Sequence, residues 1–294
     1  MIQLGMHTDN WRERSGNFQT AIASAVKHGL SYVEFGVIHG QYFIHALGYD
    51  PSVSLQSNPR ALKRCLDENG LAVSQIDAAY PLMGPDGSSF GVPYVQQAIR
   101  FAAEIGCPCV DTTDGASKVE GYPDEVVFRI ACANYRQCLA WAKDYGVTIN
   151  VETHGPYTND GDFLERLFNE LDSPNLGFNF DTGNTFIAGN DPLEYLKRFR
   201  QRLSHVHIKD VSEGLADTAR GEETGIACSQ VPIGGGVNAK NIEKCIEYLR
   251  ETNWDGVLSI ECHGSDENIE KSIQFLRGLL SATTEQKDSH PIEA

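Results

Sequence analysis

A short apolar segment followed by an amphipathic helical pattern recurs eight times along the chain, and no other feature of the sequence constrains the fold as strongly. The predicted strands lie at about residues 3–8, 32–36, 72–78, 109–113, 147–152, 176–181, 203–209 and 256–261. The predicted helices lie at about residues 17–28, 59–69, 94–105, 124–145, 162–171, 238–251 and 268–280, with one more that begins near Pro192. Eight such repeats are typical of a single (β/α)8 barrel, the TIM barrel, so we expect an α/β fold of this class.

The alternative α/β architecture is an open, doubly wound sheet. Such a sheet usually carries a phosphate-binding loop or a GxGxxG fingerprint after its first strand, whereas the segment His7-Thr-Asp-Asn-Trp11 has neither. A chain of 294 residues, 41% of them hydrophobic, is long enough to bury one large core. We therefore expect one barrel over residues 1–282, interrupted by a long connection at about 211–237, and a polar, flexible tail over 283–294.

Composition limits the classes of partner and the location. The net charge of −16 argues against a nucleic-acid or anionic-membrane partner, because both attract basic surfaces. The N-terminus has no signal-peptide pattern, and no stretch approaches the roughly 20 apolar residues of a membrane span, so we expect a cytoplasmic protein. Its eight scattered cysteines lack a CxxC pair and are expected to be reduced core residues. The sequence is also compatible with a homo-oligomer.

Polar side chains alternate with apolar ones near the ends of the predicted strands. In segment 203–209, Val206 and Ile208 share one face, which leaves His205, His207 and Lys209 on the other. The same parity places further residues on the inner face at other strand ends: His7, Glu34, Asn150, Glu152, Asn179, Asp181, Ser259 and Glu261. These side chains should collect at the carboxyl-terminal mouth of the barrel, where barrel active sites are built.

The charge of this mouth predicts a metal ion. Glu152, Asp181 and Glu261 would bring about three negative charges together, and an unpaired buried charge costs several kcal/mol. A divalent cation offsets two of these charges and binds the carboxylate oxygens directly. Three carboxylates with the imidazole of His207 form a hard, oxygen-rich set that suits Mn²⁺, with Mg²⁺ or Co²⁺ as alternatives.

These residues also carry a resemblance to a known family. The segments Val151-Glu152, Asn179-Phe-Asp181-Thr-Gly-Asn184, His205-Val-His207-Ile-Lys-Asp210 and Ser259-Ile-Glu261 resemble the xylose-isomerase-like barrel superfamily, with a likeness running from about residue 1 to 282. Within it, the chain is similar to the sugar phosphate isomerase/epimerase group, which includes ketose 3-epimerases, hydroxypyruvate isomerase and inosose dehydratase. The resemblance implies Glu152, Asp181, His207 and Glu261 as metal ligands.

The resemblance further implies a sugar isomerase or epimerase. In the ketose 3-epimerases the two glutamates, here Glu152 and Glu261, also exchange the proton at the reacting carbon. The expected reaction is α-proton abstraction from a small sugar, followed by a metal-stabilised enediolate. The alternative is a lyase or dehydratase that uses the same carbanion but loses a β-substituent from a 3-keto sugar, a glycoside or an inositol-like ring.

At two positions the chain differs from the ketose 3-epimerases, and both differences argue against that particular reaction. The ketose 3-epimerases carry a histidine three residues after the metal-binding Asp, and here that position holds Asn184. They also carry an arginine shortly after the metal-binding His, whereas this chain continues as Lys209-Asp210, a run that resembles inosose dehydratase.

Other side chains are expected to complete the site. His154 and Lys209 are candidates for an acid–base role or for orienting a substrate oxygen, with plain lining of the mouth or a salt bridge to Asp181 as the alternatives. Candidate substrate contacts are His7, Glu34, Asn184, Arg220 and His263. His39, His45 and Tyr49 either extend the pocket wall or are solvated.

The connection at 211–237 has two interpretations. Connections of this length are usually functional or disordered, and Ile226, Val231 and Ile233 favour an ordered flap over the mouth, with Arg220 reaching the substrate. A surface decoration or a subunit contact is the alternative. The run Gly234-Gly-Gly236 predicts a turn into a helix capped by Asn238 rather than an anion-binding nest.

Two further functional classes agree less well with the sequence. A DNA-repair endonuclease of the same superfamily would require a multinuclear zinc site, more histidines at the strand ends and a basic face. A non-catalytic sugar-binding barrel would not need three converging carboxylates.

Overall fold

The strands close into an eight-stranded parallel barrel. A computed structural model describes residues 1–11, 17–39, 51–222, 225–228 and 230–281; His45, Tyr49 and the predicted tail at 283–294 lie outside them. The strands are β1 (Ile2–His7), β2 (Tyr32–Ile38), β3 (Val53–Ser54), β4 (Ala72–Ala78), β5 (Cys109–Thr112), β6 (Thr148–Glu152), β7 (Leu176–Asp181), β8 (Leu203–Ile208) and β9 (Gly256–Ile260). They pair in the order β1-β9-β8-β7-β6-β5-β4-β2, and β1 pairs with β2 to close the ring. The two-residue β3 pairs in parallel with the end of β2, outside the ring.

Helices follow the strands and cover the outside of the barrel. They are α1 (Phe18–Lys27), α2 (Pro59–Glu68), α3 (Val92–Ile105), α4 (Asp124–Tyr145), α5 (Gly161–Leu171), α6 (Thr182–Ile187), α7 (Pro192–Phe199), α8 (Glu213–Ala219), α9 (Ala239–Glu251) and α10 (Asp266–Ser281). The predicted TIM barrel is therefore confirmed, and the predicted elements agree with the observed ones to within about two residues at most ends. Two short helices, α6 and α8, were not predicted, because neither is long enough to show an amphipathic period.

The alternation within β8 is as predicted. Val206 and Ile208 are fully buried on the helix-facing side, whereas His205 points into the barrel, where its Nε2 lies 3.2 Å from Ser74 Oγ on β4. Glu34, Gln75 and His205 are all fully or almost fully buried. The lower barrel interior is thus a hydrogen-bonded polar network, and the apolar core lies mainly between the sheet and the helices.

The long connection is tied to the end of β8 by Asp210. Its carboxylate accepts hydrogen bonds from the backbone N–H groups of Gly234, Gly236 and Asn238, at 2.9–3.0 Å. The glycine run is therefore a nest of N–H groups, but the anion that fills it belongs to the chain itself. The prediction that the Asn238 side chain caps α9 is wrong: it makes no cap hydrogen bond and instead donates to the backbone oxygen of Thr182.

All eight cysteines are described, and each is a free thiol. Six are buried, as expected of core residues, while Cys65 is partly exposed and Cys228 is exposed. Among the helices of the described ranges, none combines the length and apolar character that crossing a membrane requires.

Candidate functional site

Four side chains from four neighbouring strand ends converge at the mouth of the barrel. Glu152 ends β6, Asp181 ends β7, His207 lies in β8 and Glu261 follows β9. One potential ligand atom from each lies within 4.8 Å of the other three. We refer to Glu152, Asp181, His207 and Glu261 as the ligand cluster. The structure thus brings together the four residues that the sequence analysis proposed as ligands.

The sharp turn after β7 aims Asp181 into this cluster. Its Oδ1 accepts hydrogen bonds from the N–H groups of Gly183 and Asn184, at 2.7 and 2.8 Å, and so caps α6. Gly183 is required there, because a Cβ at this position would lie only 2.8 Å from Lys209 Cγ. With Oδ1 used by the cap, Oδ2 is left facing the cluster.

His207 is held between two sets of carboxylates. Its Nε2 lies 2.9 Å from Glu34 Oε1, and its Nδ1 lies 3.0 Å from Glu152 Oε1 and 3.4 Å from Glu261 Oε2. Burial disfavours the imidazolium, but the carboxylates of Glu34 and Glu152 outweigh burial and hold the pKa of His207 well above its usual value. Glu34 fixes the Nε2–H, which directs Nδ1 towards the cluster, as carboxylates beside metal-binding histidines do.

A second group, His7, Glu34 and His207, is also compact enough for a metal ion. The Nδ1 of His7, however, accepts a hydrogen bond of 2.9 Å from the N–H of Asp9. This bond assigns the ring proton to Nε2, which lies 3.9 Å from Glu34 Oε1, so neither nitrogen of His7 offers a free lone pair. The ligand cluster is therefore the better site.

Lys209 lies where a cation is needed. Its Nζ is 2.8 Å from Glu261 Oε1 and 3.1 Å from Asp181 Oδ2. Burial raises the pKa of Asp181 to about 6 even with this ammonium group beside it. In Glu261, burial also favours the neutral form, yet Lys209 and His207 lower its pKa. The predicted salt bridge of Lys209 to Asp181 is present, and Lys209 also lines the cavity described below, so its role in orienting a substrate oxygen stays a prediction.

The residues present fit a divalent cation. Asp181 Oδ2 is buried and accepts no hydrogen bond within the described part of the chain, although the Lys209 ammonium group lies close to it. Three carboxylates and one imidazole form a hard donor set of the kind that binds Mn²⁺, Mg²⁺ or a similar ion.

A cavity of about 410 Å³ opens above the ligand cluster. Predicted site residues that line it are His7, Glu152, His154, His207, Lys209, Glu261 and His263. Ile226, Cys228 and Gln230 of the long connection also line it, so part of this connection forms a wall of the mouth. This placement favours the flap interpretation of residues 211–237.

Three predicted substrate contacts lie elsewhere. Glu34 is fully buried below the cavity and holds His207. Asn184 is also buried, where its Nδ2 lies 3.5 Å from Glu152 Oε1 and its Oδ1 accepts a hydrogen bond from the N–H of Ala227. The guanidinium group of Arg220 lies 3.9 Å from the centre of the Phe186 ring. These placements favour positioning or packing roles over direct contact with a substrate.

Sequence reasoning missed two acidic residues of the mouth, Asp77 on β4 and Asp111 on β5, which are register partners. Both carboxylate oxygens of Asp111 and the Oδ1 of Asp77 accept no hydrogen bond among the described residues. Burial raises the pKa of Asp77 to about 7 and that of Asp111 well above its usual value. The inward parity that identified Asp181 applies equally to both strands and would have found them.

Comparison with known proteins agrees with this architecture. The model of the family described as "Xylose isomerase-like TIM barrel" matches residues 22–279. Among curated relatives, the inosose dehydratase of Clostridium botulinum (strain Eklund 17B / Type B) is 27% identical over 116 residues, which cover 38% of this chain and 38% of that protein. The chain thus spans well under half the length of this relative.

Solved structures share the whole fold. A D-tagatose 3-epimerase-like protein superposes with a TM-score of 0.76 at 19% identity, covering 97% of this chain and 99% of the other. The IOLI protein, whose structure contains a zinc atom, superposes with a TM-score of 0.73 at 15% identity, covering 95% and 98%. At these identities, the likeness establishes the fold only.

Proposed function

Because the chain belongs to the xylose isomerase-like TIM barrel family, we propose that it is a divalent-metal-dependent enzyme that removes a proton from the carbon beside a carbonyl group of a sugar-derived substrate. The observation that carries this proposal is the convergence of the four ligand atoms within 4.8 Å of one another beside an open cavity. Lys209 offsets part of the charge of the three converging carboxylates, and a bound divalent cation would offset the rest. A small sugar suits both the volume of the cavity and its polar lining.

The ligand cluster would hold the ion. Mn²⁺ is the expected metal, with Mg²⁺ or Co²⁺ as alternatives, and the zinc atom in the IOLI protein adds Zn²⁺ to the ions to be tested. When bound, such an ion acts as a Lewis acid that polarises the carbonyl and an adjacent hydroxyl of the substrate.

Glu152 and Glu261 supply the proton transfers. Glu152 lines the cavity and is oriented by His207 and Asn184, so it is positioned to remove the α-proton. Glu261 lies three strands farther around the ring of strands, where Lys209 fixes its Oε1, and it returns a proton from another direction. His154 and His263 line the same cavity and are candidate proton carriers.

This arrangement supports an isomerase or epimerase, in which the proton returns to carbon. The second candidate is a lyase or dehydratase, in which the same carbanion expels a β-substituent. Two observations favour the second candidate: the curated relative named inosose dehydratase, and the buried Asn184 in place of a histidine. A cytoplasmic location and a homo-oligomer stay predictions.

Incubation in D₂O separates the two reactions. The metal-loaded protein is given free ketoses in one series and 3-keto-glycosides in another. Deuterium in the recovered sugar or its epimer, without elimination, identifies the isomerase. A new unsaturated chromophore with release of the β-substituent identifies the lyase. If neither deuterium exchange nor elimination occurs with any loaded metal, the proposed function is wrong.

A further inference from the structure

A second cavity lies beside the catalytic one and shares a wall with it. Its volume is about 470 Å³, and Asp77 and Ala79, at the carboxyl end of β4, line both cavities. Each volume lies in the range of roughly 300–1,000 Å³ that small-molecule sites occupy. A single sugar ring held at the ligand cluster would therefore leave the second cavity empty.

The second cavity has an aromatic lining, in contrast to the ionic lining of the first. Tyr80, Phe90 and Tyr94 line it together with His39. The Tyr80 ring centre lies 6.5 Å from that of Phe90 and 6.4 Å from that of Tyr94, so the rings form one continuous group. Phe90 is 62% exposed and Tyr80 is 36% exposed. Aromatic side chains that cluster at a cavity and stay open to water are a candidate binding surface.

The backbone holds Phe90 in this position. Phe90 lies in a π-helical turn, Gly87–Gly91, that precedes α3, and such turns occur frequently at functional sites. A Cβ at Gly91 would lie 2.9 Å from the backbone oxygen of Pro81 and 3.1 Å from Tyr80 Cδ1. Only glycine allows this approach, which brings the turn against the segment that carries Tyr80. The aromatic group is thus fixed by the fold.

We infer that the substrate has two parts, a sugar ring in the catalytic cavity and an apolar, ring-containing aglycone in the cavity formed by His39, Tyr80, Phe90 and Tyr94. This inference rests on the proposed function for the sugar half only. The aromatic rings present faces on which a planar group stacks. Asp77 lies at the junction of the two cavities, because it lines both of them, close to the expected link between the two parts.

Direct binding tests this inference without turnover. Calorimetry is performed with phenyl and methyl glucopyranosides of both anomers, on metal-free and metal-loaded protein. Burying one phenyl ring should make a phenyl glycoside bind at least about tenfold more tightly than the methyl glycoside of the same anomer. Phe90→Ala and Tyr80→Ala should bring this ratio towards one. Tyr145→Ala, which truncates a ring that is 42% exposed and lines neither cavity, should keep it.

Several results would overturn the inference. Equal affinity for phenyl and methyl glycosides in the unaltered protein would do so, as would the absence of phenyl glycoside binding at millimolar concentrations. Light scattering covers the remaining possibility: if Phe90→Ala dissociates an oligomer and leaves the ratio unchanged, the aromatic surface is a subunit contact. Failure of the proposed function is detected by a different experiment, because deuterium exchange into free ketoses does not depend on the second cavity.

Discussion

Buried carboxylates meet two different environments in the mouth of this barrel. On the side formed by β6 to β9, Asp181 and Glu261 lie within 3.1 Å of the Lys209 ammonium group, and Glu152 lies 3.0 Å from the His207 ring. On the adjoining side formed by β4 and β5, Asp77 and Asp111 leave carboxylate oxygens without a hydrogen bond among the described residues. The two sides share a strand parity but differ in their cationic partners.

This difference decides which carboxylates stay charged. Burial disfavours the charge of Glu152, yet its hydrogen bond with His207 lowers its pKa, whereas burial raises the pKa of Asp77 to about 7. A buried carboxylate beside a fixed cation remains ionised and can bind a metal or accept a proton. A buried carboxylate without one takes up a proton more readily, and it can then donate a hydrogen bond. The lowered pKa values of Glu152 and Glu261 thus place the stronger negative charge on the first side, although burial raises the pKa of Asp181 there to about 6.

The largest expected effect follows from removing a charge on the first side. Glu152→Gln keeps the shape of the side chain but removes both the base and one carboxylate of the ligand cluster, so kcat should fall by at least about 10²-fold, the lower end of the usual contribution of a general base. The kcat of the Glu261→Gln variant should fall by a comparable factor. Steady-state assays on the substrate found in the D₂O experiment measure both.

Asp111→Asn is the matched control for this prediction, since it makes the same chemical change at the adjoining strand end. It should retain most of the turnover, because Asp111 does not line the cavity above the ligand cluster. Full activity of Glu152→Gln would contradict the assignment of the base.

The second prediction compares the metal content of two variants, one on each side of the mouth. Asp181→Asn removes a ligand, and it should weaken metal binding by more than the 10–100-fold that loss of an outer-shell partner usually causes. Asp77→Asn changes a carboxylate of the same mouth outside the ligand cluster and should keep the metal. Elemental analysis of both purified proteins, after dialysis against a weak chelator, compares them. Equal metal content would mean that the ligand set is wrong.

The smallest expected effect concerns stability and its dependence on pH. The folded-state pKa of Asp111 is raised, so the folded protein binds a proton that the unfolded chain releases, and the free energy of unfolding falls as pH rises above the unfolded-state value near 3.8. Asp111→Asn removes this penalty. At pH 8 it should therefore raise the free energy of unfolding by at least about 1 kcal/mol, since a difference of one pKa unit corresponds to about 1.4 kcal/mol. At pH 4.5 the increase in the free energy of unfolding should be smaller.

Urea unfolding at both pH values, on metal-free protein, measures this effect. Asp144→Asn, which changes an exposed residue of α4, is the control and should have little effect at either pH. An Asp111→Asn variant that is less stable than the unaltered protein at pH 8 would show that a partner satisfies this carboxylate.

Much of the site could be predicted from the sequence because a strand has a strict two-residue period. Once Val206 and Ile208 are assigned to the helix-facing side, His207 must point inward, and a parallel barrel brings the ends of its strands to one mouth. The position of Asp181 followed in the same way. Asp77 and Asp111 obeyed the same rule, and they were missed only because it was not applied to their strands.

What the sequence could not give is which atoms meet across the barrel. Asn184 follows the candidate ligand Asp181 in sequence, and only its hydrogen bond from the N–H of Ala227 reveals that it is enclosed between Glu152 and the long connection. Arg220 lies in the connection that forms the cavity wall, yet it packs on Phe186. The aromatic cavity likewise joins His39, which follows β2, to Phe90 and Tyr94, which follow β4.

The sequence by itself determined the barrel, its inward-facing residues and the four candidate ligands, because periodicity and strand direction are local properties of the chain. The tertiary structure decided the rest: that Glu34 holds His207, that Lys209 lies between two carboxylates, and that the cavity above the ligand cluster adjoins an aromatic one. These relations depend on distances between residues far apart in the sequence, and no local pattern encodes those distances.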